Sequence, residues 1–117
     1  MDSITRLLTL AARKAWNSNK RDKRCFLLGA VALRNDGVLV HSRNGSAYDR
    51  MPVIHAEARL SRKLDKGAIV FVARVTRDKQ WALSRPCCDC LRTLKRKGVI
   101  KIYYTIAPNE YGCINVE

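Results

Sequence analysis

Residues 68–106 read AIVFVARVTRDKQWALSRPCCDCLRTLKRKGVIKIYYTI, and this stretch decides the fold. Ala68 to Val75 is rich in Ile, Val and Phe, side chains that suit a pleated and buried surface, so it reads as a central strand. Thr76 to Gln80 is a polar, charged loop, and Trp81 to Arg85 lead into a cluster of cysteines. Pro86 suits a first helical turn, where its missing N–H costs nothing, and Cys87, Cys90, Leu91 and Leu94 then share one helical face until Gly98 ends the segment. Val99 to Ile106 is again a strand. Strand, helix and strand in succession imply a right-handed crossover and parallel pairing in the middle of one sheet.

Before this unit, Ile4, Leu7, Leu8, Ala11, Ala12 and Ala15 recur at helical spacing behind Asp2 and Ser3, which can cap a first turn. The polar stretch Asn17 to Arg24 breaks that pattern. Cys25 to Leu33 is nearly all apolar, as in a strand buried on both faces. Asn35-Asp36-Gly37 supplies turn chemistry, and Val38 to Ser42 return as the second strand of a hairpin. Arg43 to Pro52 is a loop by composition. A second helix is expected from Ile54 or His55 to about Lys66, with Gly67 at the left-handed position that commonly ends helices. After Ile106, Ala107-Pro108-Asn109-Glu110 is a turn and Tyr111 to Val116 a short last strand, so the closing hairpin, like the opening one, is antiparallel. The expected class is α/β, a five-stranded mixed sheet flanked by helices in three layers.

Composition bounds what such a sheet can be. The chain has 117 residues, of which 47% are hydrophobic and 28% charged, a globular balance that fits one domain over residues 1–117. The formal charge is +13, from 23 Lys and Arg against 10 Asp and Glu. Self-repulsion of that size favours anionic partners, phosphorylated ligands or polynucleotides among them, although a solvated basic face remains the plainer alternative. Three of the five cysteines are Cys87, Cys88 and Cys90. An odd, clustered set is a poor disulfide framework and reads as metal ligands in a reducing compartment. Met1 to Lys14 has no apolar run behind a basic start, and no stretch approaches the roughly 18 apolar residues of a membrane span. A cytoplasmic protein with no membrane contact is expected.

Two expected helix starts offer zinc ligands: His55-Ala56-Glu57 and Pro86-Cys87-Cys88-Asp89-Cys90. Zinc favours imidazole nitrogen and thiolate sulfur in a tetrahedral shell, and one His with two Cys leaves the fourth position for water. The positive end of the helix dipole favours thiolate at Cys87 and Cys90. A bound zinc ion can bring the pKa of water from about 15.7 to about 7. Glu57, two residues beyond His55, can carry the protons without being a ligand. The reaction class that needs this set is attack of hydroxide on an amidine-like ring carbon with loss of ammonia.

Taken together, His55-Ala56-Glu57 and Pro86-Cys87-Cys88-Asp89-Cys90, with 28 residues between Glu57 and Pro86, resemble the signature of the zinc-dependent cytidine and deoxycytidylate deaminase superfamily. The resemblance covers nearly the whole chain. It implies zinc at His55, Cys87 and Cys90, Glu57 as the proton carrier, and conversion of a cytosine-bearing nucleoside or nucleotide to its uracil form. It places Asn44 on the sugar hydroxyl; Tyr48 and Trp81 are candidates to wall a base, and Ala56, Arg85 and Pro86 are further candidate substrate contacts. Met51 is a further candidate to stack on a base, and Arg50, Arg77 and Arg85 are candidates to meet a phosphate. Small members commonly assemble, so a homo-oligomer is expected.

Three alternatives stand beside this reading. Deamination of cytosine or adenine in single-stranded DNA or RNA would use the basic surface as a backbone track. Against it, the additional C-terminal helices of the polynucleotide-editing relatives are not expected here, where Pro108-Asn109 is expected to return the chain as an antiparallel strand. If Cys88 joined the other three ligands, a closed site would make the protein a non-catalytic basic zinc module, but Cys88 lies about 100° round the helix from Cys87. Finally, each wall residue has a plain packing role available to it. Cys25 and Cys113 are expected to be small packing residues, and His41 a surface or packing residue.

Overall fold

The computed structural model describes residues 3–18, 27–43, 64–76, 78, 80–84 and 88–116. Helix α1 spans Ser3–Ser18. Its Leu8, Ala11 and Ala15 are fully buried, the stripe that the helical spacing predicts. Strands β1 (Leu27–Leu33), β2 (Leu39–Arg43) and β3 (Ile69–Val75) follow, then β4 (Trp81–Ala82), helix α2 (Cys88–Arg96), β5 (Lys101–Ala107) and β6 (Glu110–Asn115). They form one sheet in the order β2-β1-β3-β5-β6, with β4 paired to β3.

β3 and β5 are parallel, from Ile69↔Lys101 to Val72↔Tyr104. The other pairings are antiparallel: β1 with β2, β1 with β3, β3 with β4, and β5 with β6. The α/β class and the two antiparallel hairpins therefore agree with the sequence reading. β4 makes the sheet six-stranded rather than five-stranded. It arises because the β3–β5 ladder stops at Val72, and residues 81–82 take up the freed edge at Arg74 and Val75.

Both faces of the sheet are covered, which explains the unbroken apolar runs. Val31 and Ala73 meet α1 through Ala11, while Ala30, Ala32, Val70, Val72 and Ile102 form the opposite core with Leu94 of α2. Burying a side chain such as Leu94 or Ile102 contributes about 1.5–3 kcal/mol. Under α1 the approach is close enough that β1 has glycine. A Cβ at Gly29 would run into the backbone oxygen of Ala11 and lie 2.6 Å from the backbone nitrogen of Ala15.

Element ends follow local hydrogen bonding. The Val38 N–H bonds Asp36 Oδ1 at 3.0 Å, which keeps Val38 in the turn, so β2 begins one residue later than expected. At the end of α2 the Val99 N–H reaches Leu94 O at 3.2 Å and the Gly98 N–H reaches Lys95 O at 3.0 Å. Gly98 has φ 86, completing a Schellman motif with Leu94 and Val99 packed in the same core. Val99 is thereby capped, and β5 starts at Lys101 rather than Val99. Asn109, at φ 63, turns β5 back into β6. Leu64–Gly67, the described end of the segment expected to form the second helix, is not helical, and Gly67 has the expected positive φ of 94. The rest of that segment lies outside the described residues. No helix among the described residues is long and apolar enough to cross a membrane.

Candidate active site

α2 carries the second half of the expected metal motif. Its backbone is helical from Cys88 through Cys90, and Leu91 and Leu94, on the face predicted for Cys87 and Cys90, pack on the sheet beside Val70, Val72 and Ile102. The helix finishes where β3 and β5 begin, with the Ile100 N–H bonded to Ala68 O at 3.0 Å. Cys88 follows by four residues a segment that is bonded at the carboxyl ends of those strands. In an open α/β sheet the crevice at the carboxyl ends of parallel strands is where ligands bind.

That segment contains a buried polar knot. Ser84 and Thr105 are 5% and 0% exposed, and their hydroxyls lie 2.9 Å apart. The Thr105 hydroxyl donates to Ala82 O at 2.7 Å and accepts from the Arg74 N–H at 3.2 Å. The Ser84 hydroxyl accepts from the Thr105 N–H at 2.9 Å and faces Val72 O at 3.0 Å and Thr105 O at 3.2 Å. Because Thr105 O already receives the Ser84 N–H at 2.9 Å, the single Ser84 proton goes best to Val72 O. The knot replaces the ladder bonds that β3 and β5 would have made had they stayed paired beyond Val72 and Tyr104.

His55, Glu57, Cys87, Asn44, Tyr48, Ala56, Arg85 and Pro86 lie outside the described residues, as do Arg50, Met51, Arg77 and Cys25. Cys90 is described as a backbone position within α2. Among the described residues there is no group of three or more His, Cys, Asp and Glu side chains that could hold a metal. Trp81 packs with Ala12 and Trp16 against Ala15 and Val75, on the α1 side of the sheet. These contacts give Trp81 the packing role that the sequence also allowed. His41 is exposed on β2, as expected of a surface residue. Cys113, expected to pack, is an exposed free thiol on β6, because the outer strand leaves that side uncovered.

Sequence reasoning did not single out Ser84 or Thr105. The signal was present as one hydroxyl residue inside the apolar run KIYYTIA and another two residues before Pro86.

Solved structures share this arrangement. A cytidine deaminase from Burkholderia pseudomallei superposes with a TM-score of 0.71 at 17% identity, over 99% of this chain and 94% of that one. A cytidine deaminase from Mycobacterium leprae gives 0.63 at 19% identity, over 97% and 94%. A dCMP deaminase from the cyanophage S-TIM5 gives 0.59 at 22% identity, over 89% and 84%. No protein-family model and no curated sequence relative matches the chain. At these identities the likeness is one of architecture: the chain has the fold of the cytidine deaminases.

Proposed function

We propose that this chain is a zinc-dependent hydrolytic deaminase that converts a cytosine-bearing nucleoside or nucleotide to its uracil form with release of ammonia. The observation that carries the reading is the coincidence of fold and motif. The helix bearing Cys90 starts close after the carboxyl ends of the parallel pair β3 and β5, in a fold shared with two cytidine deaminases and a dCMP deaminase.

The donor set fits the metal. One imidazole, His55, and two thiolates, Cys87 and Cys90, are the ligand types zinc takes in a catalytic site with one open position. Zinc, when bound, acts as a Lewis acid that makes a water nucleophilic near neutral pH. Cys90 lies in the first turn of α2, whose positive end favours its thiolate form, and Cys87 immediately precedes that helix in the sequence. Glu57 takes the proton from the attacking water, delivers it to the ring nitrogen, and later protonates the departing amino group. Water adds at the ring carbon and ammonia leaves, so the cytosine ring becomes uracil. Asn44 on the sugar and Tyr48, Ala56, Arg85 and Pro86 around the base complete the proposed pocket. The enzyme is one catalytic domain, cytoplasmic, and works as a homo-oligomer.

The second reading, deamination within single-stranded DNA or RNA, draws on the charge of +13. Against it stands the closing strand, since β6 returns antiparallel to β5 through the Pro108-Asn109 turn. Incubation of the zinc-loaded protein with cytidine, deoxycytidine, their monophosphates, adenosine and short single-stranded oligonucleotides separates the two, with ammonia and product mass as readouts. Turnover of a free cytosine nucleoside or nucleotide is expected. Release of ammonia from oligonucleotides alone would replace the first reading with the second, and none from any substrate, with zinc bound, would leave a basic zinc module.

A further inference from the structure

We propose that the buried Ser84–Thr105 hydroxyl pair is a positioning device for the metal-ligating turns of α2, tying the carboxyl ends of β3, β4 and β5 together just before the chain reaches Cys87 and Cys90. The inference rests on the deaminase reading above and deepens it. Ser84 stands three residues before Cys87 in the chain.

The knot is more than a substitute for sheet pairing. Between them the two hydroxyls engage Val72 O, Arg74 N–H, Ala82 O and both backbone groups of Thr105, so three strands meet at two side chains. Burying hydroxyls is costly unless they are fully bonded, and here each one both donates and accepts. Ile102 and Thr105, three residues apart, lie on opposite faces of β5 and are both fully buried, as a sheet covered on both sides requires. β5 is irregular just beyond the second member. Its ladder with β6 shifts register between Thr105 and Ala107. Such irregularities concentrate where a strand must re-aim a side chain beside a functional site.

The other constraints on α2 leave this job open. Its C-terminal end is fixed by the Schellman cap at Gly98 and by the Gly67 N–H bond to Gly98 O at 2.8 Å, and its middle rests on apolar contacts of Leu91 and Leu94. Apolar contacts are non-directional. On the approach to the N-terminal end, the Ser84–Thr105 knot supplies directional bonds that join three strands.

The test compares Ser84→Ala, Thr105→Val and Thr105→Ser with the parent. Zinc-loaded protein is challenged with a chelator and the rate of metal release followed; cobalt-loaded protein gives the d–d absorption spectrum, a direct report of ligand geometry; thermal melting of each gives the stability. Supports around metal ligands are typically worth about 10- to 100-fold in metal affinity or activity, so Ser84→Ala and Thr105→Val should release zinc faster by that order and shift the cobalt bands. Thr105→Ser keeps the hydroxyl and should match the parent. Folded variants with the parent's cobalt spectrum and release rate would overturn the proposal. So would a Thr105→Ser as defective as Thr105→Val, which would make the methyl group the working part. If neither Ser84→Ala nor Thr105→Val folds, the pair is a folding element and the proposal is overturned too. A parent protein that takes up neither metal sinks the deaminase reading itself, which distinguishes that failure from the others.

Discussion

Gly29→Ala is the sharpest test of how α1 lies on the sheet. A Cβ added at Gly29 collides with the backbone oxygen of Ala11, lies 2.6 Å from the Ala15 nitrogen and 3.2 Å from the Ala11 carbonyl carbon. All three are backbone atoms, so no rotamer change relieves the contact. α1 must lift by roughly an ångström to restore ordinary separations, and Leu8, Ala11 and Ala15, now fully buried, would lose packing along the whole stripe. Overpacking typically costs about 1–3 kcal/mol, and rigid backbone on the far side puts this case at about 3 kcal/mol or beyond. For a domain of this length that corresponds to a fall in Tm of roughly 10–15 °C.

Urea unfolding followed by tryptophan fluorescence suits the measurement, because Trp16 on α1 and Trp81 on β4 belong to the same small cluster with Ala15 and Val75. A lifted helix should alter the emission of the native state as well as the midpoint. A Gly29→Ala protein within about 1 kcal/mol of the parent, with native emission unchanged, would refute the close approach of α1 to β1.

Further outcomes follow from the ends of α2 and from the proposed site. Gly98→Ala forces a side chain into φ 86 and to 2.8 Å from Lys66 Cγ and 2.9 Å from Lys66 Cα, so thermal melting should show a loss of about 2 kcal/mol. Metal analysis should find Cys88→Ser still binding about one zinc per chain and Cys87→Ser or Cys90→Ser losing most of it; equal losses at all three would favour a closed structural site. Glu57→Gln should lose deamination by about 10⁴-fold or more in a cytidine assay while zinc content and Tm stay near the parent's. Retained turnover would remove Glu57 from the proton path, and lost zinc would make it a ligand or a support for one.

Much of the architecture was legible because burial writes itself into periodicity. The stripe Leu8, Ala11, Ala15 named α1, and the unbroken run LLGAVAL named a strand covered on both faces. Gly67 and Gly98 were legible as left-handed ends for a steric reason that acts on one residue at a time. β4 was not legible, because two residues carry no period and Trp81–Ala82 pairs only where another ladder has run out. Ser84 and Thr105 were missed for a related cause: a hydroxyl inside an apolar run reads as strand composition until the strand across from it is known to diverge. The fate of Trp81 was open in the sequence, since an aromatic side chain before a motif serves a pocket and a core equally well, and only its neighbours Trp16 and Val75 decide. The chemistry was read from residue types at fixed spacing, and His55, Glu57 and Cys87, three of the four residues proposed to carry it, lie outside the described residues.

The excess positive charge bears on substrate choice less than its size suggests. Of the exposed basic residues, Arg92 stands at the middle of α2, Lys95 and Arg96 in its last turn and Lys97 just beyond it, and Lys66 lies against Gly98 at the same end. Cations in a last helical turn interact favourably with the negative end of the dipole, which gives Lys95 and Arg96 a local reason to be there. Lys97 is seven residues beyond Cys90, a rise of about 10 Å, and charges on a wet surface at that range are screened at physiological salt, where the Debye length is about 8 Å. Lys97 therefore adds little to the field at the start of α2, whereas Arg92, two residues beyond Cys90, is close enough to contribute. If the proposed deaminase prefers a nucleotide over a nucleoside, we expect the preference to come from Arg50, Arg77 or Arg85, whose places in the sequence lie near the two motifs. It should then vanish on neutralising those three and survive neutralising Lys95, Arg96 and Lys97. The ratio of kcat/KM for deoxycytidine monophosphate to that for deoxycytidine measures it, and a ratio that instead collapsed with the α2 lysines would mean that the substrate reaches across the helix to its far end.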